Sequence, residues 1–478
     1  MKKIILYISI IILAGVQYSC KKDLNALPSN FKVDGNVITD AKSAKLALNG
    51  VYLNFAEVGE SAAQISTQYY YDNEVYPSLA VGAIAYMFDD LPAVTRTQSV
   101  ETGWEVNEVW QSNYKTINAA NGFMKGIEAL ASGNISEAEK KSMLGQAYFL
   151  RAFATFKLLW NYGQFWDISS PLGIILRTEP TTTENIAKPM ASVKDCYDQI
   201  IKDVDFAIAN APTTNEKHYA TTWAARALKA RVLMQRGSAG DYATAITLAD
   251  EVINQGPYQL EPNAHDIFLT KGLGSEEVIF GIKPFPTQVS RISEYYYSYF
   301  EMPLYTATPL AVDIFGSDPR IDWVFGDLGG FGELGINKYT ELDGSNTPFG
   351  QFAEVNYVFR LSEMHMIKAE ALVRSGGSTS TAKTIVKNIM SKAGVTDFSA
   401  IDNATTPDQL LLEIFKENFR NFLLEDGIDW LSLLRLPLNT VKSLRPDITD
   451  LTRYIMPIPR EEFLRNYAVT EQNPGYGK

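Results

Sequence analysis

Two adjoining stretches constrain the fold of this 478-residue chain more than any other part: Ala224-Ala-Arg-Ala-Leu-Lys-Ala-Arg-Val-Leu-Met234 and Gly240-Asp-Tyr-Ala-Thr-Ala-Ile-Thr-Leu-Ala-Asp-Glu-Val252. Alanine recurs where two helices would cross, which lets their backbones approach closely. The break at Gly240-Asp-Tyr and the stop at Gly256-Pro257 complete the pattern of a tetratricopeptide-like helix pair.

Similar layouts recur along the chain. Ser192-Val-Lys-Asp195 is a capping pattern, followed by Tyr197, Ile200, Ile201, Val204 and Ile208 at helical spacing and a stop before Pro212. Asp198, Lys202, Asp203 and Asp205 fall on the other face. A long helix is expected from Leu144 to Trp160, after Ser136-Glu-Ala-Glu139. Another pair runs from Leu361 to Arg374 and from Ala382 to Ala393. The repeats are not in strict tandem. Residues 56–100 and 258–359 separate them, rich in Gly, Pro and aromatics, and are expected to be loops and short strands that carry function on a helical frame.

Met1-Lys-Lys, an apolar run from Ile4 to Val16 and Ser19-Cys20 form a secretory signal rather than a span, since the run is too short to cross a bilayer. Ser19-Cys20 resembles the end of a bacterial lipoprotein signal, which makes Cys20 the expected lipidation site and 1–19 the signal peptide. Gln17 and Tyr18 stand where Leu and a small residue are more usual. Residues 20–478 then form a single domain. Cys196, the one other cysteine, lies on a helical pattern as a small buried hydrophobe, and no disulfide is expected. Loss of Lys2 and Lys3 with the signal moves the formal charge from −12 to −14, which argues against a nucleic-acid partner.

Catalytic signatures are sparse. Gly330-Phe-Gly-Glu-Leu-Gly335 has dinucleotide-loop spacing, but the extended pattern of Ile336-Asn-Lys-Tyr-Thr-Glu-Leu342 follows it where a helix should open, so no cofactor is expected. No metal site is expected either. His365, on the side of its helix shared with Met364 and Leu372, is expected to be partly buried. Glu425, Asp426 and Asp429 cluster in sequence, and a carboxylate pair at suitable separation could cleave a glycosidic bond.

Four passages resemble the SusD/RagB family of outer-membrane nutrient-binding lipoproteins of Bacteroidetes. They are Gly145-Gln-Ala-Tyr-Phe-Leu-Arg-Ala-Phe through Tyr162-Gly163, Arg360-Leu-Ser-Glu through Ala371, Glu417-Asn-Phe-Arg through Arg435, and Met456-Pro-Ile-Pro with Gln472-Asn-Pro-Gly-Tyr476. Asp429, Ser432 and His365 depart from the residues more usual in the family. The resemblance implies a mostly α protein, with tetratricopeptide-like pairs framing a loop-rich, short-strand half. It also implies a non-catalytic role: capturing oligosaccharide and passing it to a SusC-like TonB-dependent transporter at the outer membrane.

A glycan site needs exposed aromatic planes with polar groups at their edges. Gln68-Tyr-Tyr-Tyr-Asp-Asn-Glu-Val-Tyr76 and Tyr295-Tyr-Tyr-Ser-Tyr299 offer that mixture, and both lie where the family draws its aromatic platforms. The expected ligand contacts are Tyr70, Tyr71, Asp72, Asn73, Tyr76, Arg291, Tyr295, Tyr297 and Tyr299, with Trp104 and Trp323. In a strand Tyr295 and Tyr297 would share one face and Tyr296 the other. Trp110 and Trp160 fit helix cores better. Three alternatives stay open: a peptide ligand, a secreted glycosidase using Glu425, and a helix-repeat scaffold.

Overall fold

The computed structural model describes residues 37–61, 64–67, 69–88, 91–97, 102–284, 296–297, 302–327, 330, 332–339 and 355–477. Its frame is a succession of helices: α1 (Ala41–Phe55), α2 (Trp104–Glu128), α3 (Glu137–Tyr162), α4 (Val193–Asn210), α5 (Thr222–Arg236), α6 (Asp241–Gln255), α7 (Leu361–Arg374), α8 (Thr379–Lys392) and α9 (Pro407–Phe422). Sequence neighbours pack on one another from α2 through α8, and α1 lies against α2 and α3. The fold is mostly α, as the helix-pair pattern predicts.

Local chemistry sets the boundaries. Ser136 caps α3 by accepting from the Glu139 amide while Glu139 reaches back to the cap, and Ser192 accepts from the Asp195 amide to start α4. The α5 alanines 224, 225, 227 and 230 are buried at the crossings. Gly145 is where α3 meets the end of α4: a Cβ there would lie 2.5 Å from the Ala211 nitrogen, so no larger residue fits without moving a backbone.

The strands are short. β1 (Val58–Ser61) pairs with β2 (Gln64–Thr67). β4 (Val278–Ile282) and β10 (Asn356–Arg360) form a wholly buried antiparallel pair, and β10 runs straight into α7. The other strands are β3 (Ile84–Tyr86), β5 (Tyr296–Tyr297), β6 (Met302–Pro303), β7 (Tyr305–Ala307), β8 (Phe325–Gly326) and β9 (Gly335–Ile336). Their main sheet has the order β3-β7-β9-β8, so the early insertion (β3) is stitched to the middle one (β7, β8, β9). That stitching brings the two expected functional segments together.

Buried ion pairs lock the frame. The Arg151 guanidinium donates two hydrogen bonds of 2.7 Å to the Asp203 carboxylate. Asp203, expected on the solvent face of α4, is instead completely buried, because this pair ties α4 to α3. His365 is partly buried as expected, and burial pushes its imidazole down to about 4. Cys196 is fully buried, and its thiol is pushed up to about 12 by that burial. After the glycine pattern at 330–335 the chain enters β9, and Lys338 and Tyr339 are buried. That context suits no phosphate-cradling loop.

Candidate ligand-binding face

Residues 69–80 are helical rather than extended. The run from Tyr71 to Val75 is a π-turn, closed by the Tyr76 amide donating to the Tyr71 carbonyl, and Tyr76–Ala80 continues as α-helix. A π-turn aligns residues five apart, and the Tyr71 and Tyr76 rings lie 6.2 Å apart at 34°. Tyr71 also meets the Tyr70 ring at 4.2 Å.

This geometry corrects part of the expected site. Tyr70, Asp72, Asn73 and Tyr76 are buried and offer no open plane to a ligand. The helical turn points these four side chains inward, where a strand would have alternated them. Asn73 donates to Glu57 Oε1 and to the Tyr69 carbonyl, and Ser112 donates to Asp72. Burial first, then the neighbouring Glu57 and Glu108, hold the Asp72 carboxyl well above its ordinary range.

Trp104 fits the expectation of exposure. It opens α2 with 59 % of its surface accessible, its ring 6.3 Å from Tyr76 at 72°. Three aromatics that sequence reasoning did not single out form a second group. Tyr86 on β3 pairs in register with Tyr305 on β7, ring centroids 5.2 Å apart. Phe88 lies 5.9 Å beyond Tyr86 and is 61 % exposed. Burial first, then Asp72, Glu108 and Glu105, hold the Tyr76 hydroxyl far above the ordinary tyrosine range. Trp104, Tyr71 and Tyr76 make one aromatic group and Tyr305, Tyr86 and Phe88 another, each with one exposed ring, and the two groups make up an aromatic ridge. For Tyr86 and Phe88 the only sequence signal was the alternation Ile84-Ala-Tyr-Met-Phe88 behind Gly82.

Of the middle tyrosine stretch the backbone of Tyr296 and Tyr297 is described, in a two-stranded sheet separate from β3-β7-β9-β8. Tyr297 pairs with Met302 in the antiparallel β5–β6 pair, and β6 leads into β7. Arg291, Tyr295 and Tyr299 lie outside the described residues, as does Cys20. Trp323 is half-buried, stacked on His265 at 4.4 Å and 25° with Phe268 behind it, so one of its faces is already occupied. Trp110 and Trp160 are core residues, 4 % and 1 % exposed.

A family model described as "Starch-binding associating with outer membrane" matches residues 35–234, and the SusD family model matches residues 331–435. The chain belongs to the SusD/RagB family. A SusD-like protein of Bacteroides ovatus is 25% identical over 185 residues, covering 37% of this chain and 32% of that protein, so the match spans about a third of that relative's length. SusD-like protein P2 of Formosa agariphila is 25% identical over 428 residues, 78% of this chain and 81% of its own. A SusD superfamily structure from Bacteroides thetaiotaomicron superposes with a TM-score of 0.73 at 20% identity, over 91% of this chain and all of that one.

In this SusD/RagB chain the carboxylates that suggested a glycosidase are structural. Glu425 is paired to Lys338 at 2.5 Å and to Arg360 at 2.6 Å. Asp426 is paired to Lys157 at 2.7 Å and to Arg231, and accepts from the Tyr69 hydroxyl. Asp429 accepts from Ser78 and from the Trp430 amide. All three are at most 1 % exposed, so no glycosidic bond can reach them. No helix among the described residues is long and apolar enough to cross a membrane.

Proposed function

We propose that this protein binds oligosaccharide at the cell surface without catalysing its cleavage, and hands it to a SusC-like TonB-dependent transporter. Cys20 anchors it to the outer membrane through lipid in this reading. The observation that carries the proposal is the aromatic ridge built where the two insertions meet. Sugar rings present apolar C–H faces, and exposed indole and phenyl planes such as Trp104 and Phe88 complement them. Family membership and the starch-binding description of the matching model support the ligand class.

Peptide remains the second reading. It rests on the overall acidity of the chain, whose formal charge of −12 would draw basic peptides. Calorimetric titration of the chain from Cys20 onward against neutral and acidic oligosaccharides and mixed peptides separates the two. Saturable heat with an oligosaccharide and none with peptides is the expected result, together with no release of reducing ends. Binding of peptides alone would transfer the site to the second reading.

A further inference from the structure

Beneath the ridge, at the contact between the π-turn and the frame, lies a small cavity with room for about 10 Å³ of water centres. Its wall is formed by Asp72, Tyr76, Val94, Arg96, Trp160 and Asn161, with Pro77, Val109 and Met456, and every one of these residues is buried. Four of the wall's polar atoms, Asp72 Oδ1, Tyr76 OH, Arg96 Nε and Trp160 Nε1, complete no hydrogen bond within the protein, although Asp72 faces the Glu57 carboxyl and Tyr76 the Glu108 carboxyl. The other polar atoms of these side chains are engaged. Asp72 Oδ2 accepts from Ser112, while Arg96 donates to the Ala93 carbonyl and to Asn161 Oδ1. Glu108 gains some stabilisation from the Tyr76 hydroxyl beside it, but no hydrogen bond is completed between them.

A buried polar atom without a partner costs free energy, and Arg96 Nε–H and Trp160 Nε1–H have none, so the cavity is not a stable dry arrangement. We propose that this cavity is a binding site for one internal water molecule, which accepts from Arg96 Nε–H and Trp160 Nε1–H and donates to Asp72 Oδ1 and Tyr76 Oη. Two fixed N–H donors and an acid match the tetrahedral valence of water, and the volume is that of a single water. The fixed donors exclude a metal cation. The size of the cavity disfavours a halide. The water ties two side chains of the π-turn to Trp160 on α3 and to Arg96, and so fixes the Tyr76 ring on which Trp104 rests. The site does not depend on which ligand the ridge accepts.

The test is a crystal structure of the chain from Cys20 onward at about 1.5 Å or better, grown in sodium bromide, beside that of Trp160→Phe. The expected result is one solvent peak about 2.7–3.2 Å from Asp72 Oδ1, Arg96 Nε and Trp160 Nε1, without anomalous signal from bromide. In Trp160→Phe the peak should weaken or vanish, and the melting temperature should fall by about 1–2 °C, as for one lost buried hydrogen bond. A bromide peak in the cavity, a dry cavity, or direct pairing among the four side chains would each overturn the proposal. So would a Trp160→Phe variant that keeps the peak at full occupancy. If that variant fails to fold, the wild-type density decides alone.

Discussion

Tyr86 and Tyr305 face each other across an antiparallel strand pair, their rings 5.2 Å apart at 36°. Each comes from a different insertion, so this one contact makes a shared aromatic surface from segments remote in sequence. Cross-strand aromatic pairs stabilise such sheets by roughly 0.2–1 kcal/mol, too little to explain on its own why the exposed edge is aromatic as well.

Phe88, at the open end of that surface, gives the first prediction. Phe88→Ala removes an exposed ring that the core does not need, so stability should change by less than about 0.5 kcal/mol. Oligosaccharide affinity should fall by about fivefold, the equivalent of roughly 1 kcal/mol of ring contact. Calorimetry and thermal melting on the same sample check both halves.

Glu370 gives a pH dependence. It is buried, which alone would raise its acid, but Arg435 and Arg374 surround it and draw it down to about 2 from an ordinary 4.5. Arg435 binds both carboxylate oxygens, at 2.8 and 2.6 Å. A carboxylate whose folded value is depressed adds stability above its unfolded value, and that stability is lost as pH falls from about 4.5 towards 2. The contribution is about 3 kcal/mol. Glu370→Gln should therefore be less stable at pH 7 and show a flatter acid limb in urea titrations at pH 2.5 to 5.

Asp429 has the opposite sign. Burial raises its carboxyl to about 7, only partly offset by hydrogen bonds from Ser78 and the Trp430 amide. The folded chain then holds a proton that the unfolded chain releases, so this group favours folding at low pH and loses that advantage between its unfolded value and about 7. Asp429→Asn keeps the shape, its amide oxygen accepting from the Trp430 amide and its NH2 donating to Ser78 Oγ. It should raise the melting temperature at pH 8 more than at pH 5, and an equal change at both would refute the assignment.

The helical frame was legible in the sequence because its signals are local. Leu361–Arg374 is bounded as expected, with Arg360 before it and the Ser375-Gly-Gly turn after it, and the caps at Ser136 and Ser192 mark helix starts. The ion pairs were not legible, since Arg151 finds Asp203 and Arg231 finds Glu363 and Asp426 only after distant helices pack. The tyrosines at 69–76 misled for a physical reason. Aromatics favour strands only as far as their packing does, and here Tyr69 bonding to Asp426 and Tyr76 packing under Trp104 hold the segment helical. Trp104 was legible as a candidate; Tyr86, Phe88 and Tyr305 were not, because a three-residue strand carries too few alternations to stand out.

Cys20 carries the anchoring proposal. Cys20→Ser should shift the protein from the detergent phase to the aqueous phase in cloud-point partition of cell extracts, with no change in the melting temperature of the purified chain. Equal partition of wild type and variant would remove the lipid.

The most direct test of the account is titration of the wild-type chain and Trp104→Ala with the oligosaccharide that binds best in a panel, each sample melted in parallel. Trp104 is open to solvent and meets the Tyr76 ring at 72°, so its removal should leave the melting temperature within about 1 °C and weaken binding by about tenfold. Unchanged affinity in a stably folded Trp104→Ala would contradict the claim that the aromatic ridge holds the ligand.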